Sequence, residues 1–194
     1  KAMQEAVPVG KGKVVAVLGM KTTELEELLK FKKENLGICE IANDNADGQV
    51  IISGESQGVE SLQKFLKEKK IKTIPLKVSA PFHCSLMKPA AEIMKEKINN
   101  TKFNDSKINI INNVTAQPEI NATTIKELLV KQIFSTVRWR ESLVYIFENS
   151  VKNFIEIGPG KALSGMVKRT LKEANSFSIN SITDIKNFTN AIKK

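Results

Sequence analysis

The order of hydrophobic periodicities over residues 13–77 constrains this chain more than any other feature. Residues 13–18, K-V-V-A-V-L, form a short β-branched run closed by Gly19 and read as a strand. Thr23 follows as a helix cap, with Glu26 three residues on as the other half of a capping box, and Leu25, Leu28 and Leu29 share one face. Residues 38–42 and 49–53 read as two strands joined by N-D-N-A-D-G, a loop of turn residues. A second helix is expected over 55–69 with Val59, Leu62, Phe65 and Leu66 facing inward, then a fourth strand over 71–78. Strand, helix, strand, strand, helix, strand is the order of a ferredoxin-like layer. Pro75 lies inside the fourth strand, where a missing N–H is tolerated only at an edge or bulge. In this topology the fourth strand is an edge, so the proline fits.

Beyond residue 78 the pattern changes. Helices are predicted over 90–98, 124–134, 139–149 and 162–171, the last with Leu163, Met166, Val167, Thr170 and Leu171 on one face, followed by a final helix that includes the lysines from Lys186 to Lys194. Strands are predicted over 108–114, 154–157 and 179–182. Alternation of this kind implies an α/β layer with a mostly parallel sheet, here incomplete because its few strands follow the small layer. The ranges are then 1–12, a helix end and linker; 13–77, the ferredoxin-like unit; and 78–194, part of a larger α/β unit.

Between the two patterns lies V-S-A-P-F-H-C-S-L, residues 78–86, with the only histidine of the 194 residues. Imidazole is the one side chain that takes and returns a proton near neutrality without help from its surroundings. If the chain does acid–base work with a histidine, it is His83; a lone histidine is equally an ordinary structural residue. Cys84 beside it is a tempting nucleophile, but neighbours on an extended segment point to opposite sides, which makes it packing. Cys39 and Cys84 are far apart in sequence, and with one histidine no metal site is expected.

A second pattern invites a catalytic reading. Gly54-Glu55-Ser56-Gln57-Gly58 is a literal G-x-S-x-G between a strand and a helix, the setting of a nucleophile elbow. The strand, however, belongs to a small antiparallel hairpin, and Ser56 reads as a helix cap satisfying free N–H groups. Gly158-Pro159-Gly160 also joins a strand to a helix start, where amides could face an anion, though a tight turn explains it as well. Asn43, Asn45, Asn112 and Asn113 suit a cleft or a turn equally.

The net charge of +9 and pI near 9.5 call for an acidic partner. Aromatics at 6% and the lack of any RNP or zinc-finger pattern argue against nucleic acid. No apolar run reaches membrane-spanning length, so no membrane role is expected.

Several phrases in register carry a resemblance. M-Q-E-A-V-P at residues 3–8, G-Q-V and I-S-G at 48–54, V-S-A-P-F-H-C-S-L-M-K-P at 78–89, N-N-V at 112–114 and E-I-G-P-G-K at 156–161 together resemble the bacterial malonyl-CoA:acyl carrier protein transacylases over nearly the whole chain. The resemblance implies a partial α/β-hydrolase-like large subdomain beside the ferredoxin-like one. It also implies a serine–histidine dyad in which His83 is the base and a backbone carbonyl at the position of Gln132 orients its ring. Read without the resemblance, Gln132 is a surface helix residue. Phe82, otherwise a core aromatic, would narrow the acyl pocket toward malonyl. The implied partners are malonyl-CoA, as a substrate thioester, and acyl carrier protein, with no further cofactor or metal, a monomeric state and a cytoplasmic place (a plastid in a eukaryote). The family's G-H-S-x-G-E phrase does not occur in the sequence, nor does its malonate-pairing arginine, so the chain corresponds to the C-terminal two-thirds of such an enzyme. A polyketide synthase acyltransferase domain, or a non-catalytic basic module that binds a carrier protein or RNA, is the alternative.

Overall fold

The computed structural model describes residues 1–192; Lys193 and Lys194, in the last predicted helix, lie outside them. In chain order the elements are α1 (Ala2–Glu5), β1 (Gly12–Leu18), α2 (Thr22–Phe31), α3 (Lys33–Leu36), β2 (Cys39–Ala46), β3 (Gln49–Glu55), α4 (Ser56–Glu68), β4 (Lys72–Pro75), α5 (Lys88–Asn99), β5 (Ile110–Ile111), β6 (Pro118–Glu119), α6 (Ala122–Gln132), α7 (Trp139–Glu148), β7 (Asn153–Ile157), α8 (Ala162–Thr170), β8 (Asn175–Ile179) and α9 (Ile182–Ile192). Contacts gather them into two units, Lys1–Ser142 and Leu143–Lys194. These cut the chain elsewhere than the 13–77 and 78–194 ranges, because residues 78–142 are bonded to the four-stranded sheet.

That sheet has the order β2-β3-β1-β4, all antiparallel, which is the ferredoxin-like arrangement. Alternation assigns its two faces. Val15, Val17, Ile41, Val50 and Ile52 point to one side and pack with Leu25 of α2 and Val59, Leu62 and Leu66 of α4. Val14, Ala16, Ala42 and Ile51 point to the other and are also buried. An amphipathic sheet needs one cover; this one has apolar residues on both faces and demands two.

Three local expectations are corrected. The N-D-N-A-D-G segment is mostly strand: β2 continues to Ala46, with register irregularities between Ile41 and Asn43 and between Asp44 and Ala46. Bulges of this kind absorb the odd residues, and the turn contracts to Asp47-Gly48, with Gly48 at φ 69°. Helix α2 starts one residue before the predicted Thr23 cap. Its N-cap is Lys21, and Glu24 rather than Glu26 returns to the Lys21 amide. The fourth strand is limited to Lys72–Pro75, on the edge as expected, although the Leu76 N–H still donates to the Val14 carbonyl.

Further along, the strand expected over 108–114 is reduced to Ile110–Ile111, paired antiparallel with β6. The side chain of Asn112 takes over there, accepting from the amides of Val114 and Thr115 and closing the turn. In the second unit β7 and β8 run parallel. The latter strand covers Asn175–Ile179 rather than 179–182, since Ser181 and Asp184 already open α9. The parallel sheet among the described residues is this one pair. On α8, Ser164 and Val167 are buried while Leu163 is 42% exposed, so the buried face is narrower than the predicted stripe. No helix among the described residues is long and apolar enough to cross a membrane.

Candidate active site

The histidine segment lies against the sheet face opposite α2 and α4. Glu40 and Ser53 are cross-strand partners on β2 and β3, so their side chains share that face. Ser53 Oγ donates to Cys84 Sγ at 3.6 Å, and the Glu40 carboxylate accepts from both the Ser85 N–H (2.8 Å) and the Ser85 hydroxyl (2.6 Å). Upstream, Pro81 is fully buried over Gly12, where an added Cβ would sit 2.3 Å from the proline ring. The absence of a side chain at Gly12 therefore lets the loop seat directly on the start of β1.

Between these anchors His83 adopts φ 58°. A left-handed conformation costs a non-glycine residue about 1–2 kcal/mol, and such strain persists where the surroundings over-determine it. Nδ1 of His83 lies 3.0 Å from the carbonyl oxygen of Gln132. A carbonyl only accepts, so Nδ1 carries the hydrogen, and Nε2 of the neutral ring keeps a free lone pair. The carbonyl is available because Gln132 ends α6, and the last turn of a helix leaves its carbonyls without intrahelical donors. Asn121 caps the other end of α6 by accepting from the Thr124 amide. The Gln132 side chain is not the contact: its Nε2 donates to the Ser135 carbonyl.

Phe82 is half-buried and packs against the small cluster of Val7, Ala80 and Met87, as do Ile133 and Phe134 just past the end of α6. Cys84 is fully buried, and its thiol donates to the Pro81 carbonyl at 3.1 Å. Burial raises its pKa, and burial likewise pushes Cys39 up to about 12. Neither thiol is set up as a nucleophile.

Ser56 is not a cap. Its hydroxyl donates to the Gly10 carbonyl at 2.7 Å, while its N–H donates to Lys11, tying the linker to the start of α4. It borders a cleft of about 630 Å³ with Val7, Leu86 and Pro89, and His83 is not among that cleft's lining residues. Both glycines of the motif are spent on backbone packing. A Cβ at Gly54 would lie 2.0 Å from the Ile38 carbonyl oxygen, and one at Gly58 would lie 1.9 Å from that of Leu36. At Gly158-Pro159-Gly160 the anion is internal: the Glu156 carboxylate accepts from the amides of Leu163 and Ser164 at the start of α8. Asn113 borders a groove of about 190 Å³ with Gln132, and Asn43 pairs with Val137 as strand backbone.

Sequence reasoning missed the pairing of Asp44 with Arg140. Asp44 is 1% exposed and is held by Arg140, whose Nε and Nη2 reach its oxygens at 2.8–3.1 Å. Asp44 lay within the supposed loop, so its burial had no local signature. A guanidinium at this bidentate site fixes β2 to the start of α7; the carboxylate in turn raises the Arg140 pKa. Arg138 and Glu141 form a second pair, with Arg138 also donating to the Thr115 carbonyl at 3.1 Å.

Residues 3–191 match the family described as acyl transferase domain. The chain is 41% identical over 178 residues to the malonyl CoA-acyl carrier protein transacylase of Bacillus subtilis, covering 91% of this chain and 56% of that protein. It superposes on the crystal structure of the malonyl CoA-acyl carrier protein transacylase of Clostridium perfringens with a TM-score of 0.93 at 36% identity, covering 99% of this chain and 60% of that one. A malonyl-transacylase solved in complex with a type II PKS acyl-carrier protein matches with a TM-score of 0.89 at 34% identity, covering 96% and 60%. The chain thus spans less than two-thirds of the length of these relatives.

Proposed function

The chain belongs to the acyl transferase domain family, and on that premise we propose that it contributes the general base of a malonyl-CoA:acyl carrier protein transacylase. The observation that carries this reading is the 3.0 Å contact between His83 Nδ1 and the Gln132 carbonyl. It fixes the neutral tautomer whose Nε2 lone pair can accept a proton.

This reading requires a serine nucleophile from outside these 194 residues, in which no G-H-S-x-G-E phrase occurs. In the first half-reaction Nε2 takes the hydroxyl proton as the serine oxygen bonds to the malonyl thioester carbon. The carbon–sulfur bond then breaks, and the coenzyme A thiolate leaves with the proton returned from Nε2–H. In the second half the phosphopantetheine thiol of the carrier protein loses its proton to Nε2 and attacks the malonyl-serine ester. The serine oxygen leaves and recovers that proton. A backbone carbonyl suffices as the orienting partner, so no third acidic side chain is needed. Phe82 narrows the space beside the imidazole and favours an unbranched malonyl group. The net charge of +9 suits both an acidic carrier protein and the phosphates of coenzyme A.

The test is His83→Ala in the full-length protein that encodes this chain. Malonyl transfer should fall by about 10³-fold or more, as expected when a dyad member is removed, with carrier-protein binding retained. Unchanged transfer would remove the proposed base. Salt-sensitive RNA binding by the chain, without any role in transfer, would favour the basic-module alternative.

A further inference from the structure

Strand β2 carries two separate attachments. At Glu40 the carboxylate accepts two short bonds from Ser85, its N–H at 2.8 Å and its hydroxyl at 2.6 Å. Immediately after it, the Ile41 carbonyl accepts from the Thr136 hydroxyl (2.6 Å) and the Ala42 carbonyl from the Val137 amide (2.8 Å). The Asp44 amide completes the second attachment by donating to the Val137 carbonyl at 2.9 Å. The first holds the loop two residues past His83. The second holds the run that leaves α6 just past Gln132. Imidazole and orienting carbonyl are thus both indexed to neighbouring residues of one strand.

His83 needs such support. Its φ of 58° lies in the left-handed region, and a side chain there relaxes unless the chain on both sides is held. Pro81 over Gly12 supplies the hold on one side. On the other, Ser53 Oγ donates to Cys84 Sγ at 3.6 Å and Glu40 holds Ser85 through two bonds; the carboxylate acceptor makes the Glu40 contact the stronger kind of hydrogen bond.

We propose that Glu40 is a positioning residue for His83: its grip on Ser85 maintains the left-handed turn in which Nδ1–H meets the Gln132 carbonyl, which leaves Nε2 free. The kinetic consequence rests on the reading of His83 as the base; the tautomer does not. Because His83 is the only histidine in the sequence, its ring can be read alone. On the tag-free chain, long-range proton–nitrogen spectra of ¹⁵N-labelled imidazole at about pH 8, above the ordinary imidazole range, should show the Nδ1–H form. Glu40→Ala should shift the ring toward the Nε2–H form. Glu40→Gln keeps an oxygen for the Ser85 amide and can donate to its hydroxyl, so it should restore Nδ1–H. In the full-length enzyme Glu40→Ala should lower kcat about 10- to 100-fold with KM unchanged, the cost of a misplaced catalytic group, and Glu40→Gln should recover most of it.

A ring that stays Nδ1–H in Glu40→Ala, with only the melting temperature reduced, would make Glu40 a simple anchor of the loop and overturn the proposal. If Glu40→Ala does not fold, Ser85→Ala is read in its place: a partial tautomer shift supports the assignment and an unchanged ring defeats it. A ring that shifts while kcat holds would uphold the positioning and sink the base instead, so the two failures are separable.

Discussion

Nδ1 of His83 and the carbonyl oxygen of Gln132, 49 residues apart in the chain, stand 3.0 Å from each other. The contact uses a backbone atom of Gln132, and its side chain is turned away toward Ser135. Gln132→Ala should therefore leave the tautomer of His83 untouched and cost about 1 kcal/mol, the worth of the side-chain bond to Ser135. Ring-nitrogen spectra of the single histidine measure this directly. A tautomer change in Gln132→Ala would transfer the orienting role to the amide side chain.

Ser56 makes a bond to the Gly10 carbonyl and nothing in its surroundings activates it. Incubating the 194-residue chain with malonyl-CoA should give no increase in intact mass, and Ser56→Ala should cost about 1 kcal/mol, the worth of one hydrogen bond. Recovery of a malonyl group on a Ser56 peptide would refute both the assignment of this serine and the need for one elsewhere.

Gly58 offers a test of sign. Within a helix, alanine is normally favoured over glycine by about 1 kcal/mol. Here the added Cβ would fall 1.9 Å from the Leu36 carbonyl oxygen, a backbone atom that cannot swing aside. Gly58→Ala should then destabilise the protein by about 1–3 kcal/mol, the range for overpacking, as read from denaturant midpoints. Stabilisation would mean that α4 and α3 lie farther apart than described.

In the second unit the amides of α8 impose a pH dependence. Hydrogen bonds from Ser164, and then Leu163, hold the Glu156 carboxyl below its ordinary value of 4.5. A carboxylate whose folded pKa is the lower one contributes stability above the unfolded value and loses it as pH falls through the folded value. The melting temperature of the parent should exceed that of Glu156→Gln at pH 7, and the gap should close as the pH drops below 4.5. A gap that is constant with pH would show that the ionised form is not what the helix start holds.

Much of the small layer was legible because its physics is local. Periodicity placed α4 and its inward residues Val59, Leu62 and Leu66, all now fully buried, and Pro75 correctly marked an edge. The failures came where distant residues decide. Nothing in N-D-N-A-D-G announces a strand, because β2 is extended by backbone bonds to Val137 and by Arg140 reaching Asp44. The Lys21–Glu24 start of α2 won over the Thr23–Glu26 capping box two residues along. Within the site, His83 stood out as a lone residue and Gln132 entered through family resemblance; as a backbone acceptor it has no signature of its own. Glu40 was invisible for the same reason as Asp44, since a carboxylate on a strand announces no partner across the fold.

Pinned by a proline ring two residues upstream and a carboxylate two residues downstream, the imidazole sits on a short tether. A tether that short leaves the ring little slack to follow whatever is placed beside it. Changes in the walls around the ring can therefore accumulate while its contact with the Gln132 carbonyl stays where it is.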